Sequence, residues 1–119
     1  MPEIRTIAVI GAGIMGRGIA HVAALGGYRT ILEDILPAAL RRAEDEIRTN
    51  IGKAVEIGKV QKDQADAALS RLEFATSLED AARQADMVIE AVPEEFDSKE
   101  EIFRLLDRIC RPETVLASN

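Results

Sequence analysis

The sequence predicts a doubly wound α/β domain built on a parallel sheet. Three observations carry that reading. Short, β-branched apolar runs alternate with stretches of helical apolar period, a glycine-rich turn joins the first run to the first helix, and an acid closes the second run. Together they are the parts of a dinucleotide-binding βαβ unit, spanning Ile4 to Asp34.

The first strand is Ile7-Ala8-Val9-Ile10, apolar throughout as a strand covered on both faces must be. Gly11 allows the sharp turn, and Gly13 removes a side chain where a pyrophosphate would approach the backbone. Gly16 lets the following helix pack closely on the strands. That helix starts near Ile14, so its unpaired N–H groups and positive dipole end face the phosphate position, and Ile14, Ile19, Val22 and Ala23 form its apolar pattern. Gly26-Gly27 closes the helix. The second strand, Tyr28 to Leu32, ends in Glu33-Asp34. An acid at Asp34 can accept hydrogen bonds from both hydroxyls of an adenosine ribose and repels a 2′-phosphate, which favours NAD over NADP. Arg41 and Arg42 nearby weaken that preference.

Pro37 suits the first turn of a long amphipathic helix whose apolar face is Leu40, Ala43, Ile47, Ile51 and Ala54 and which ends at Gly58. A second helical piece runs from about Asp63 to Ser70. The two exceed what a plain crossover needs and predict a helix–turn–helix insertion between strands two and three, projecting from the core. The polar face with Arg41, Arg42, Glu44, Arg48 and Lys53 reads first as solvated, and second as a contact for an anionic tail such as coenzyme A. Leu72 to Ala75 is the third strand, Ser77 caps a short helix, and Met87 to Val92 is the fourth strand, stopped by Pro93. Asp97 caps a helix with Ile102, Leu105, Leu106 and Ile109 on its apolar face, and Thr114 to Ala117 is the fifth strand. The expected order is 3-2-1-4-5, an incomplete six-stranded Rossmann-like sheet. Ligands then bind at the carboxyl ends of strands one and four, which places Glu94 at the site by topology.

With 119 residues the chain is at most one domain. Its composition, 47% hydrophobic and 30% charged, is globular, and 3% aromatic content makes the core aliphatic. Fifteen basic against 21 acidic residues give a net charge of −6, which argues against general nucleic-acid binding. A lone cysteine, Cys110, cannot form an internal disulfide and reads as a structural thiol near a helix end. There is no hydrophobic leader and no apolar run of membrane-spanning length, so a cytoplasmic protein is expected. No residue is assigned to a metal.

The motifs Gly-Ala-Gly-Ile-Met-Gly-Arg-Gly-Ile-Ala (11–20), Leu-Glu-Asp (32–34), Ile-Glu-Ala-Val-Pro-Glu (89–94), Lys99 with Ile102-Phe103, and Leu-Ala-Ser-Asn (116–119) occur together. In this combination the chain resembles the NAD-dependent L-3-hydroxyacyl-CoA dehydrogenases, including bacterial 3-hydroxybutyryl-CoA dehydrogenases, over nearly its whole length. The resemblance implies that the glycine loop holds the pyrophosphate and Asp34 the adenosine ribose. It also implies that Glu94 and Lys99 contact the nicotinamide half, with Ser118 and Asn119 beside nicotinamide and substrate. The expected cofactor contacts are therefore Gly11, Ala12, Gly13, Ile14, Met15, Gly16, Asp34, Ala91, Val92, Glu94, Lys99 and Asn119, with Ser118 and Asn119 on the substrate side.

Family members continue with a Thr-Ser pair, a histidine base held by a glutamate, and a helical C-terminal domain that completes the substrate site and the dimer. None of these follows here, so residues 1–119 are expected to be the NAD-binding domain alone, cut short at its C-terminal end, with no catalytic residue of its own and inactive by itself. His21 lies in the first helix and reads as structural or solvent-facing. What the resemblance implies for the parent protein is oxidation of an L-3-hydroxyacyl-CoA, such as 3-hydroxybutyryl-CoA, to the 3-ketoacyl-CoA, as in fatty-acid β-oxidation. NAD accepts the hydride and the parent is a homo-oligomer. A related dehydrogenase of another 3-hydroxy acid, or a complete non-catalytic nucleotide-binding module, are the alternatives.

Overall fold

The computed structural model describes residues 3–92 and 96–118, the side chains of residues 96–98 excepted. The chain runs β1 (Thr6–Ile10), α1 (Ile14–Leu25), β2 (Arg29–Glu33), α2 (Pro37–Glu56), α3 (Lys62–Arg71), β3 (Leu72–Ala75), α4 (Leu78–Gln84), β4 (Met87–Glu90), α5 (Phe96–Ile109) and β5 (Val115–Ser118). The five strands form one parallel sheet in the order β3-β2-β1-β4-β5, as the sequence predicts.

The two-residue period of β1 shows how the sheet is covered. Ile7 and Val9 point to one face, where they join Leu32 of β2, the small residues Ala20, Ala23 and Ala24 of α1, Leu40, Ala43, Ile47 and Ile51 of α2, and Ala65 and Ala68 of α3. Ala8 and Ile10 point to the other, packing with Ile31, Val88, Ala81 and Ala82 of α4 and Leu106 of α5. Both layers are aliphatic, as the scarcity of aromatics requires. Alanines on α1, α3 and α4 let the helix axes lie close to their neighbours.

Several expectations need correction. The α2–α3 pair does not project from the core. Its apolar residues belong to the same buried cluster as α1 and β2, because Ile47, Ile51, Ala65 and Ala68 would otherwise leave an aliphatic stripe in water. The apolar pattern assigned to α1 is only partly its buried face. Ile14 (78% exposed) and Val22 (70% exposed) look outward, while Gly16, Ala20, Ala23 and Ala24 face the sheet. β4 ends at Glu90 rather than Val92, since the Glu90 carboxylate accepts the Val92 N–H (2.6 Å) and turns the chain out of the ladder. The second and fifth strands sit one residue later than predicted, at Arg29–Glu33 and Val115–Ser118, so Glu33 is a buried strand residue.

Ser77 caps α4 as expected, its hydroxyl accepting the Asp80 N–H. α5 opens at Phe96, so Asp97 lies inside its first turn rather than at the cap position. The expected stop at Pro93 lies outside the described residues. At the opposite end of the sheet, Asp86 accepts the N–H groups of Arg5 and Thr6 (2.9 Å each) and pairs with Arg111 (2.7 Å), clamping the entry of β1 to the segment before β5. These three donors hold the Asp86 carboxyl down at about 2. Among the described residues no helix is long and apolar enough to cross a membrane.

Candidate functional site

β1 delivers the chain into a turn that only glycine accommodates. Gly11 adopts φ +103°, and a Cβ there would lie 3.1 Å from the Ala91 carbonyl oxygen. Its N–H donates to the Glu33 carbonyl (2.7 Å), which ties the turn to the end of β2. Gly16 is demanded by packing instead: a Cβ on it would stand 1.7 Å from the Gly11 carbonyl oxygen. Gly13 differs from both. It precedes α1 with ordinary extended backbone, no side chain caps the helix, and a Cβ there meets no atom within 4 Å. The loop thus presents free helix N-terminal amides across open space, the arrangement that binds phosphate groups.

That space is a cleft of about 890 Å³ lined by Gly11, Ala12, Gly13, Ile14, Met15, Arg17, Asp34, Ala39, Arg42, Ala91 and Val92. It is large enough for an extended dinucleotide. Gly16, expected among the cofactor contacts, is buried in α1 behind the loop and does not line the cleft. The cleft gathers other expected residues from β1, α1, β2 and the exit of β4 into one wall. Asp34 stands at its β2 end, with one carboxylate oxygen accepting the Ala12 N–H (3.0 Å) and the other the Leu36 N–H (2.9 Å). These two bonds fix the carboxylate between the glycine loop and the start of α2. Beside it, burial and the Asp34 charge push the Glu33 carboxyl up to about 7.

Arg17 and Arg42 are the cations of the cleft. From the sequence, Arg42 is expected near Asp34 and on a polar helix face, while Arg17 appears only within the glycine motif. Arg17 pairs with Glu46 of α2, and Arg42 lines the cleft from α2 together with Ala39. Helical spacing from Pro37 brings Arg42 to that side, but the docking angle of α2 is set by its distant apolar face.

Across β1, the β4 side of the site is held by a residue the sequence analysis quoted only within a motif. Glu90 is fully buried. One of its carboxylate oxygens accepts the Val92 N–H, the other accepts the Ser118 hydroxyl (2.8 Å) and lies 3.6 Å from the Lys99 ammonium. An ionisable side chain inside a strand covered on both faces was the signal available beforehand, because a buried carboxylate demands partners. Lys99 and Ser118, expected at the site, thus meet at Glu90, and neither lines the cleft itself. Glu94 and Asn119, also expected there, lie outside the described residues.

His21 is partly buried, with its pKa lowered by that burial, and sits away from the loop beside Arg17, Glu46 and Asn50. Cys110 is half-buried against the α5 side of the core, where burial pushes its thiol up, and its position is structural. Among the described residues no group of His, Cys, Asp and Glu side chains could hold a metal ion.

Residues 6–119 match the family model described as 3-hydroxyacyl-CoA dehydrogenase, NAD binding domain. The chain is 39% identical over 117 residues to a probable 3-hydroxybutyryl-CoA dehydrogenase of Bacillus subtilis, covering 98% of this chain and 40% of that protein. It is 40% identical over 119 residues to the 3-hydroxyadipyl-CoA dehydrogenase of Escherichia coli K12, covering 100% of this chain and 25% of the relative. The crystal structure of an Escherichia coli 3-hydroxybutyryl-CoA dehydrogenase superposes with a TM-score of 0.95 at 40% identity, over 99% of this chain and 25% of that one. The chain thus spans well under half the length of these relatives.

Proposed function

From the premise that this chain belongs to the 3-hydroxyacyl-CoA dehydrogenase family and carries its NAD-binding domain, we propose that residues 1–119 hold NAD in the cleft between the glycine loop and Asp34. The longer protein of which they form the NAD-binding part then oxidises an L-3-hydroxyacyl-CoA to the 3-ketoacyl-CoA. One observation carries the reading: open amides at Gly13, the Asp34 carboxylate and the exit of β4 line a single cleft. The loop amides bind the pyrophosphate, with Gly13 leaving room for its approach. Asp34 receives the adenosine ribose hydroxyls and disfavours a 2′-phosphate. The rest of the cofactor then lies across β4, toward Ala91, Val92, Glu94, Lys99, Ser118 and Asn119. NAD itself supplies the hydride-accepting ring.

The same proposal assigns no catalytic base to these residues. The base, the acyl-CoA pocket and the homo-oligomer contacts belong to the remainder of the longer protein, a helical domain following residue 119, and the setting is the cytoplasm. Short and dicarboxylic acyl groups, named in the two relatives above, are the substrate classes to try first.

Calorimetric titration of the 119-residue chain with NADH and NADPH tests the cofactor reading. NADH is expected to bind ahead of NADPH, and Asp34→Ala is expected to reduce that preference. A folded chain, shown by its thermal melt, that ignores NADH overturns the proposal.

A further inference from the structure

Glu90 is the most deeply buried ionisable group among the described residues, and the cofactor contacts above leave it without a task. We propose that Glu90 is a positioning residue for the nicotinamide half of the cofactor, aligning Ser118 and Lys99 at the edge of the cleft. The inference rests on the NAD reading given above.

The geometry explains why a carboxylate is needed there. A fully buried acid in a central parallel strand is costly unless its oxygens are satisfied. Glu90 meets that requirement with groups from three different elements: the Val92 N–H at the exit of β4 (2.6 Å), the Ser118 hydroxyl at the end of β5 (2.8 Å) and the Lys99 ammonium on α5 (3.6 Å). Two are neutral donors and one is a cation, so the set fits the ionised carboxylate. A leucine or methionine in its place would fill the volume but connect none of them.

The consequence for the site follows from the direction of these bonds. The Ser118 proton points at Glu90, so the serine oxygen offers only lone pairs outward and can accept from a ligand donor such as a carboxamide N–H. The Val92 N–H is likewise committed inward, which leaves the Ala91–Val92 backbone turned toward the cleft it lines. Lys99 is drawn to the same carboxylate, and only 19% of its side chain is exposed. The glycine loop crosses β1 with Asp34 on its β2 side, so the adenosine half lies over β2 and the other half over β4 and β5. All three Glu90 partners are on that second side.

This placement separates a positioning role from a merely structural one. ADP-ribose carries the adenosine half and pyrophosphate of NADH but lacks the nicotinamide. The wild-type chain, Glu90→Gln and Ser118→Ala are titrated calorimetrically with both ligands, and each is melted without ligand to establish folding. Glu90→Gln keeps the volume and turns one acceptor oxygen into a donor that faces Ser118 or Val92. It is expected to weaken NADH about tenfold or more while ADP-ribose binding stays within about twofold. Ser118→Ala is expected to show the same asymmetry at about threefold, and it decides the matter if Glu90→Gln does not fold. Equal losses for both ligands, or no loss for NADH in a folded variant, overturn the inference. A wild-type chain that binds ADP-ribose and NADH equally well overturns it too, since the nicotinamide half is then not gripped. If the folded wild type binds neither ligand, it is the cofactor proposal that fails.

Discussion

Gly13 before α1 and Gly16 inside its first turn stand three residues apart, yet the structure assigns them opposite sensitivities to a single added methyl group. At Gly13 an alanine Cβ meets no atom within 4 Å, and the backbone (φ −72°, ψ −167°) is one any residue adopts. Alanine reduces the freedom of the unfolded chain, which stabilises by about 0.4–1 kcal/mol, and is a poorer helix cap than glycine, which costs about as much. The two effects cancel, so Gly13→Ala should melt within a few degrees of wild type. The methyl nevertheless occupies the open space before the α1 amides. Displacing a pyrophosphate from its contact there is expected to weaken NADH by about 10- to 100-fold, or about 1.4–2.7 kcal/mol. At Gly16 the Cβ would fall 1.7 Å from the Gly11 carbonyl oxygen, a backbone atom that no rotamer change can move aside. Relief requires α1 to shift off β1, for which about 3 kcal/mol or more is expected, a fall of about 10 °C or more in Tm for a chain of this size. Thermal melts without ligand and NADH calorimetry on both variants separate the two effects. A Gly13→Ala protein that binds NADH as tightly as wild type would show that the cleft before α1 is not the phosphate site. A Gly16→Ala protein with unchanged Tm would show that the loop is not packed as described.

The remaining predictions concern stability. Glu33 is held at about 7 in the folded chain against 4.5 unfolded, so between those values the folded state keeps a proton the unfolded state has released, and stability falls as pH rises through that window. The expected loss is about 1–2 kcal/mol, less than the full linkage value because solvent screens part of the interaction. Glu33→Gln should flatten this slope in urea titrations from pH 4.5 to 8, and an unchanged slope would rule out Glu33 as its source. Asp86 behaves in the opposite sense. Its carboxyl sits at about 2 against 3.8, so its contribution is complete above 3.8 and is lost as pH falls toward 2, and Asp86→Asn should remove that part of the acid transition while lowering stability at neutral pH. Ile51→Ala removes a nearly fully buried side chain that joins α2 to the α1 layer and should cost about 2–4 kcal/mol by urea denaturation. A cost below about 1 kcal/mol would mean that α2 is loosely attached.

Much of the fold was legible in the chain because it is written in local chemistry. The apolar runs at 7–10 and 87–89, the three glycines of the motif, Pro37 and Gly58 bounding one helix, and Ser77 capping another act over a few residues, so their meaning does not depend on distant partners. The strand order and the position of Asp34 follow from the same local signals once the parallel topology is recognised. The errors lie where a distant surface decided. Ile14 and Val22 have the right spacing for a buried face, but the helix rotates its glycine and alanines inward, because only small side chains allow α1 to approach β1 closely enough for the Gly11 turn.

What the sequence determined by itself is therefore the parallel sheet, its glycine loop and the acid at the end of β2, each an arrangement that backbone geometry and hydrophobic period impose wherever they occur. The tertiary structure alone decided which distant partners the carboxylates of the sheet found. Glu90 reaches Lys99 and Ser118 across 9 and 28 positions of sequence, and Asp86 joins Arg5 and Arg111. A charged side chain taken out of water must be satisfied by whatever packing brings near it. That neighbourhood is a property of how helices dock on the sheet, and no local pattern in the chain records it.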